Sequence, residues 1–87
     1  MNFDWDEANV DHIAAHKVTP TEVEQVLNEE ILILAEQEHE DGVYWLVLGA
    51  TKQGRILVVA FTEHDDALRV ATAYPATPKL RRIWRNS

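Results

Sequence analysis

Residues Val43–Thr62, VYWLVLGATKQGRILVVAFT, decide the fold. Two runs rich in β-branched and aromatic residues flank TKQG (Thr51–Gly54), a four-residue connection of hairpin length. Val43–Ala50 therefore reads as a central strand and Arg55–Thr62 as its antiparallel neighbour. Toward the N-terminus, Ile31–Gln37 (ILILAEQ) is a further strand, apolar at its start and polar toward its end, joined through an acidic turn at Glu38–Gly42. Toward the C-terminus, Glu63–Ala67 (EHDDA) is a second acidic turn, and Leu68–Tyr74 (LRVATAY) is the fourth strand, ended by Pro75. Simple alternation puts Arg69, Ala71 and Ala73 on one face of that strand and Leu68, Val70, Thr72 and Tyr74 on the other. Consecutive strands with short turns favour an antiparallel meander.

The period changes from 2 to 3.6 outside this block. A first helix starts at Asp4 or Asp6 and runs to about His16, with Asp4 and Glu7 at capping-box spacing. Trp5, Ala8, Asn9, His12, Ile13 and His16 share one helical face. In the second helix Thr19 is the N-cap, Pro20 occupies the first helical position, and Glu22 completes the box. Val23, Val26 and Leu27 form its apolar face, and Asn28 is the stop. Thr77-Pro78 repeats the Thr19-Pro20 start signal, so a short basic helix is expected over Pro78–Arg85. The reading is α+β in the order α-α-β-β-β-β-α: two N-terminal helices, a four-stranded antiparallel sheet and a C-terminal helix, in one domain over residues 1–87.

Composition narrows the function classes. Apolar residues are 46% and charged residues 26% of the 87, which excludes a disordered tail or a fibre. Cysteine is absent, so disulfide scaffolds, thiolate metal sites and cysteine nucleophiles fall away. No unbroken apolar stretch exceeds the length of Val43–Leu48, far below the roughly 20 residues of a membrane span. MNFDWDEAN carries no secretory h-region, so a cytoplasmic protein without a membrane partner is expected. The net charge of −7 is unevenly spread. Residues 1–41 hold twelve acids and one base, Lys17, whereas residues 42–87 hold seven bases and three acids. Such asymmetry fits a polyanion-binding face, and it equally fits solvated helix faces.

There is no Gly-rich phosphate loop, nucleophile elbow, HExxH or EF-hand run. His12 and His16 stand at i, i+4, the spacing for a shared metal, with Asp11, Glu38, His39 or Glu40 as conceivable third ligands; one packed and one solvated histidine explains the pair as well. Lys79, Arg81, Arg82 and Arg85 lie on the last helix, with Arg69, Lys52 and Arg55 nearby in the chain and Trp84 interleaved. Bases with an aromatic suit single-stranded RNA, through phosphate contacts and stacking. The alternative is a surface helix whose Leu80, Ile83 and Trp84 pack on the sheet. RNA cleavage by the 2′-OH needs a proton acceptor, a proton donor and cations for the phosphorane. His16, Tyr74, Arg69 and Lys79 include those types, although a phenol, which ordinarily titrates near 10, is a poor acceptor at neutral pH. Tyr44, within VYW, reads as a sheet residue.

FDWDEANVDHIAAHKVTPTEVEQVL, the QGRILVV segment and RVATAYPATPKLRRIW together resemble the BrnT-type toxins of bacterial toxin–antitoxin pairs, over nearly the whole chain. Phe3, Trp5, Asp6, His16, Val18, Gly49, Gly54, Arg55, Arg69, Ala73, Ala76 and Arg81 match the family pattern. Ala15 replaces its Lys, Lys17 its Gly, and Tyr44 and Tyr74 two of its Arg residues. The resemblance implies a RelE-like fold and a metal-independent endoribonuclease that halts translation, without cofactor. It implies neutralisation by an antitoxin encoded alongside, and an oligomer is compatible with it. On that basis His16, Arg69 and Tyr74 are the expected catalytic residues, and Lys17, Arg55, Lys79, Arg81 and Arg82 the expected RNA-binding ones. The replaced cations also admit a relative that keeps the fold and serves as a protein-binding module.

Overall fold

The computed structural model describes Asn2–Ser87, apart from the side chain of His64. Its elements are β1 (Asn2–Phe3), α1 (Glu7–Ala14), α2 (Pro20–Leu27), β2 (Leu32–His39), β3 (Gly42–Ala50), β4 (Ile56–His64), β5 (Ala67–Pro75) and α3 (Pro78–Arg85). The sheet order is β1-β5-β4-β3-β2. Strands β2 to β5 form the expected antiparallel meander, but the sheet has five strands and is mixed, because β1 pairs in parallel with β5 through Asn2↔Ala67 and Phe3↔Leu68. A two-residue strand has no period to read; it is held by its partner, and Asp4 N–H continues the contact to the Leu68 carbonyl at 2.8 Å.

The strands are longer and the turns tighter than the sequence predicts. Glu38 pairs with Val43 and His39 with Gly42, so the ladder carries on through polar residues to a two-residue turn at Glu40–Asp41. Asp65 and Asp66, at φ 50° and 65°, make the second turn. Positive φ at both central residues matches the twist of the flanking strands, and aspartate tolerates it better than most residues. At α1 the cap is Asp6, whose side chain accepts from Asn9 N–H; Asp4 is not used as a cap and points its carboxylate at Arg69. The capping box of α2 and the Thr77-Pro78 start of α3 form as the sequence indicates.

The two faces of the sheet are covered differently. Against one, α1, α2 and their connection bury Ile13, Val18, Val23, Val26 and Leu27 on Val47, Leu57, Val59, Phe61, Leu68, Val70 and Ala73. Each such aliphatic side chain contributes about 1.5–3 kcal/mol when fully removed from water. On the other face α3 lays Leu80 and Trp84 over Leu48, Val58 and Ala76. Ile83 does not join them; it stands 39% exposed.

One irregularity overturns the simple alternation in β5. Thr72 pairs with Ala60 and Val70 with Phe61, leaving Ala71 unpaired as a β-bulge. The bulge places Ala73 with Leu68 and Val70 in the helix-covered core, and Thr72 and Tyr74 with Arg69 on the opposite face.

α2 crosses β3 at Gly49, where a Cβ would lie 2.6 Å from the Val26 Cγ1. Gly49→Ala should therefore lower stability by about 1–3 kcal/mol, the usual range for overpacking. In urea unfolding, the penalty should be smaller in a Val26→Ala background; equal penalties in both backgrounds would refute the contact as the cause.

Candidate ribonuclease site

The end of α1 and the last half of β5 bring the chemically competent side chains together. Asn9 Nδ2 donates to the Val70 carbonyl at 3.0 Å and ties the helix to the strand. One turn on, His12 Nε2 lies 3.0 Å from Thr72 Oγ1. The His12 and His16 ring centroids are 5.6 Å apart and nearly perpendicular, and the His16 ring lies 6.1 Å from that of Tyr74. Both imidazoles are exposed. The sequence marks the His12–His16 spacing, but nothing in it reveals that Thr72 and Tyr74 face them, because the bulge at Ala71 brings that about.

His16 is held by the way α1 ends. Val18 N–H donates to the Ile13 carbonyl at 3.1 Å, and Lys17 adopts φ 61°, the left-handed conformation that closes such helix ends. Arg55 clamps the same turn: its guanidinium donates to the Lys17 carbonyl at 2.7 Å and pairs with Glu22 at 2.9 Å. Burial raises the Glu22 pKa, but the bonds from Arg55 and from the Thr19 N–H and hydroxyl outweigh it, and the net shift is downward. Arg55 thus holds the loop beneath His16 with its charge matched by a carboxylate.

Arg69 sits elsewhere on the same sheet face. Its guanidinium bonds Asp4 at 3.1 Å and Asp6 at 2.6 Å, so two carboxylates meet one cation. The Asp6 pKa is lowered, first by the Asn9 N–H it caps and then by Arg69, and that of Arg69 is raised, chiefly by Asp6. Arg69 lines a cavity of about 370 Å³ with Asp4, Asp41, Tyr44, Thr62 and Ala67. There the Tyr44 hydroxyl donates to Asp41 at 2.9 Å, which pushes its pKa up. The structure brings His16 and Tyr74 together, while Arg69 is engaged by Asp4 and Asp6 beside this second cavity.

The bases of α3 divide by helical geometry. Lys79 and Arg82 flank a groove against Leu32 on the β2 side. Arg81 leaves from the other flank and donates to the Ala76 carbonyl at 2.8 Å, two residues beyond Tyr74. Among the described residues, no three His, Asp or Glu side chains converge as a metal site would need. No described helix is long and apolar enough to cross a membrane.

The family model described as the ribonuclease toxin BrnT of type II toxin–antitoxin systems matches residues 5–79. The chain belongs to the BrnT toxin family. The match takes in α1, β5 and the start of α3, and so the whole histidine–tyrosine cluster. Membership in the BrnT family implies a ribonuclease toxin with an antitoxin partner. No protein of curated description matches the chain.

The Asp6–Arg69 pair gives a pH prediction. A carboxylate whose folded pKa is lowered stabilises above its ordinary value, here 3.8, and loses that contribution as pH falls through the lowered folded value. Asp6→Asn keeps the cap acceptor, since Asn caps as well as Asp, but removes the charge. Urea unfolding at neutral pH should find the variant less stable than wild type. The gap should close as pH drops below 3.8; a gap that stays constant in acid would show that the charge is not its source.

Proposed function

We propose that the protein is a metal-independent endoribonuclease toxin in which His12 and His16 are the acid–base pair. The observation that carries this reading is the exposed cluster of two imidazoles with Tyr74 on one edge of the sheet. Imidazole is the side chain whose ordinary titration range spans neutral pH, so one ring can accept a proton while its neighbour donates one. In the proposed reaction His16 accepts the proton of the ribose 2′-OH. The freed oxygen attacks the adjacent phosphorus, and the bond from phosphorus to the 5′-oxygen of the next nucleotide breaks. His12 delivers a proton to that leaving oxygen, and the first fragment ends in a 2′,3′-cyclic phosphate. Thr72 orients the His12 ring, and Tyr74 packs beside His16 and offers a face for a base.

Lys17 follows His16 in the chain, and Arg81 is anchored on the carbonyl of Ala76, two residues beyond Tyr74. In this reading they meet phosphate oxygens as charge builds on phosphorus. Arg55 positions the loop below His16. The pairing of Arg69 with Asp4 and Asp6 supports a role for it in fixing the α1 N-terminus rather than in neutralising the scissile phosphate.

Induced expression should arrest growth, and purified protein should cut RNA equally well with and without EDTA. His16→Ala and His12→Ala should each lower the cleavage rate by roughly 10²–10⁴-fold, the usual contribution of a positioned acid or base. Arg81→Ala should act in the same direction, and Arg69→Ala should mainly lower stability. Normal growth with folded wild-type protein and no RNA cleavage would support the binding-module reading instead.

A further inference from the structure

Three of the large apolar side chains that stand exposed lie along one margin: Ile31 at 36%, Ile33 at 53% and Ile83 at 39%. That margin is the outer edge of β2, with which no described strand pairs. An edge strand presents unpaired N–H and C=O groups to any chain that can lie alongside. The apolar residues stand on both sides of it. Ile33 lies opposite Val47 on the α1/α2 side of the sheet, and Ile31 reaches toward Gly49. Leu32 lies opposite Leu48 on the α3 side. There Leu32 and Ile83 floor a groove of about 540 Å³, rimmed by Lys79 and Arg82 and closed by Asn86 and Ser87.

Charge decides the occupant. The rest of β2 is Glu36, Gln37, Glu38 and His39, with Glu40 at the turn, all exposed. Two copies of this chain paired in parallel along β2 would set Glu36 against Glu36 and Glu38 against Glu38, and like charges directly opposite destabilise a ladder. Paired antiparallel over their full length, they would lay the apolar start of one β2 along the acidic end of the other. A register centred on Ile33 would bring Lys79 and Arg82 of both copies to the same side of the joined sheet, like charge beside like charge. A second copy therefore fits poorly. A segment with apolar residues on both of its faces and acidic residues beside Lys79 and Arg82 fits well.

We propose that the first half of β2, together with the groove under α3, receives an extended, acidic and apolar segment of the antitoxin as a sixth strand of the sheet. The proposal rests on the antitoxin partner that family membership implies. Main-chain hydrogen bonds to the β2 edge hold the segment, and its alternate side chains cover Ile33 on one face and Leu32 and Ile83 on the other, the usual division of labour in strand addition. The edge lies across the sheet from the histidines, so occupation here anchors the partner without filling the reactive cluster.

The test is calorimetric titration of the protein with the antitoxin encoded beside it, combined with hydrogen exchange of the complex. Exchange should slow over residues 31–35 and 79–86. Ile33→Lys should weaken binding at least tenfold while leaving RNA cleavage and the thermal midpoint unchanged. Lys79→Glu with Arg82→Glu should also weaken binding tenfold or more and preserve the fold, whereas Ile33→Val should bind like wild type. Full affinity in both charge variants, with protection at other residues, would overturn the proposal. So would a dimer of the free protein that Ile33→Lys dissolves, since the edge would then belong to a second copy. Absence of any complex with wild-type protein would remove the implied partner itself, an outcome distinct from a complex that docks elsewhere.

Discussion

The unpaired residue Ala71 governs how this molecule presents its reactive groups. A bulge shifts the side-chain alternation of a strand by one, and here it does so between the two halves of β5. Before it, Leu68 and Val70 point into the core beneath α1; after it, Ala73 takes that direction and releases Thr72 and Tyr74 to the other face. Ala73 is small enough to be fully buried there. The hydroxyl of Thr72 then meets His12, and the ring of Tyr74 meets His16. Without the extra residue the strand would turn Thr72 and Tyr74 into the core beside Leu68 and Val70, and Ala71 and Ala73 would take the other face.

Electrostatics sorts the cations into those that build and those that remain available. Arg55 and Arg69 both meet carboxylates and both fix a boundary of an N-terminal helix, Arg55 at the α1–α2 turn and Arg69 at the start of α1. Such pairs, whose side chains are 21% to 57% exposed, are modest stabilisers, and their value here is positional. Lys17, Lys79, Arg82 and Arg85 are exposed, so a chain of net charge −7 still carries a local positive margin along α3. That helix is amphipathic in an unequal way: Leu80 and Trp84 are spent on the sheet, and Ile83 is left beside the bases.

Legibility in the sequence tracked the range of the interaction. The box at Thr19, Pro20 and Glu22, the stop at Asn28 and the start of α3 at Thr77-Pro78 were readable because each is completed within four residues. The four-strand meander was readable for the same reason, since short turns leave antiparallel pairing as the only closure. The ends of β2 and β4 were not, because Glu38 and Glu63 have weak strand preference and are held by their cross-strand partners, Val43 and Leu68. The fifth strand was invisible, since two residues paired in parallel leave no pattern. At the site, His16 and Tyr74 stood out by chemical type, and His12 by its spacing from His16. The engagement of Arg69 by Asp4 and Asp6, some 65 residues away, had no local signature.

The sequence by itself determined the class of fold, the starts of the second and third helices, the family and the stock of reactive side chains. These follow from local propensity, hydrophobic period and motif, all of which act over a few neighbouring residues. Only the tertiary structure decided which of those side chains meet. That choice depends on strand register, and register is set by packing whole elements against each other; one residue bulged from β5 re-aims every side chain after it. Which cations are matched and which edge stays open are consequences of the same packing, and no window of sequence contains them.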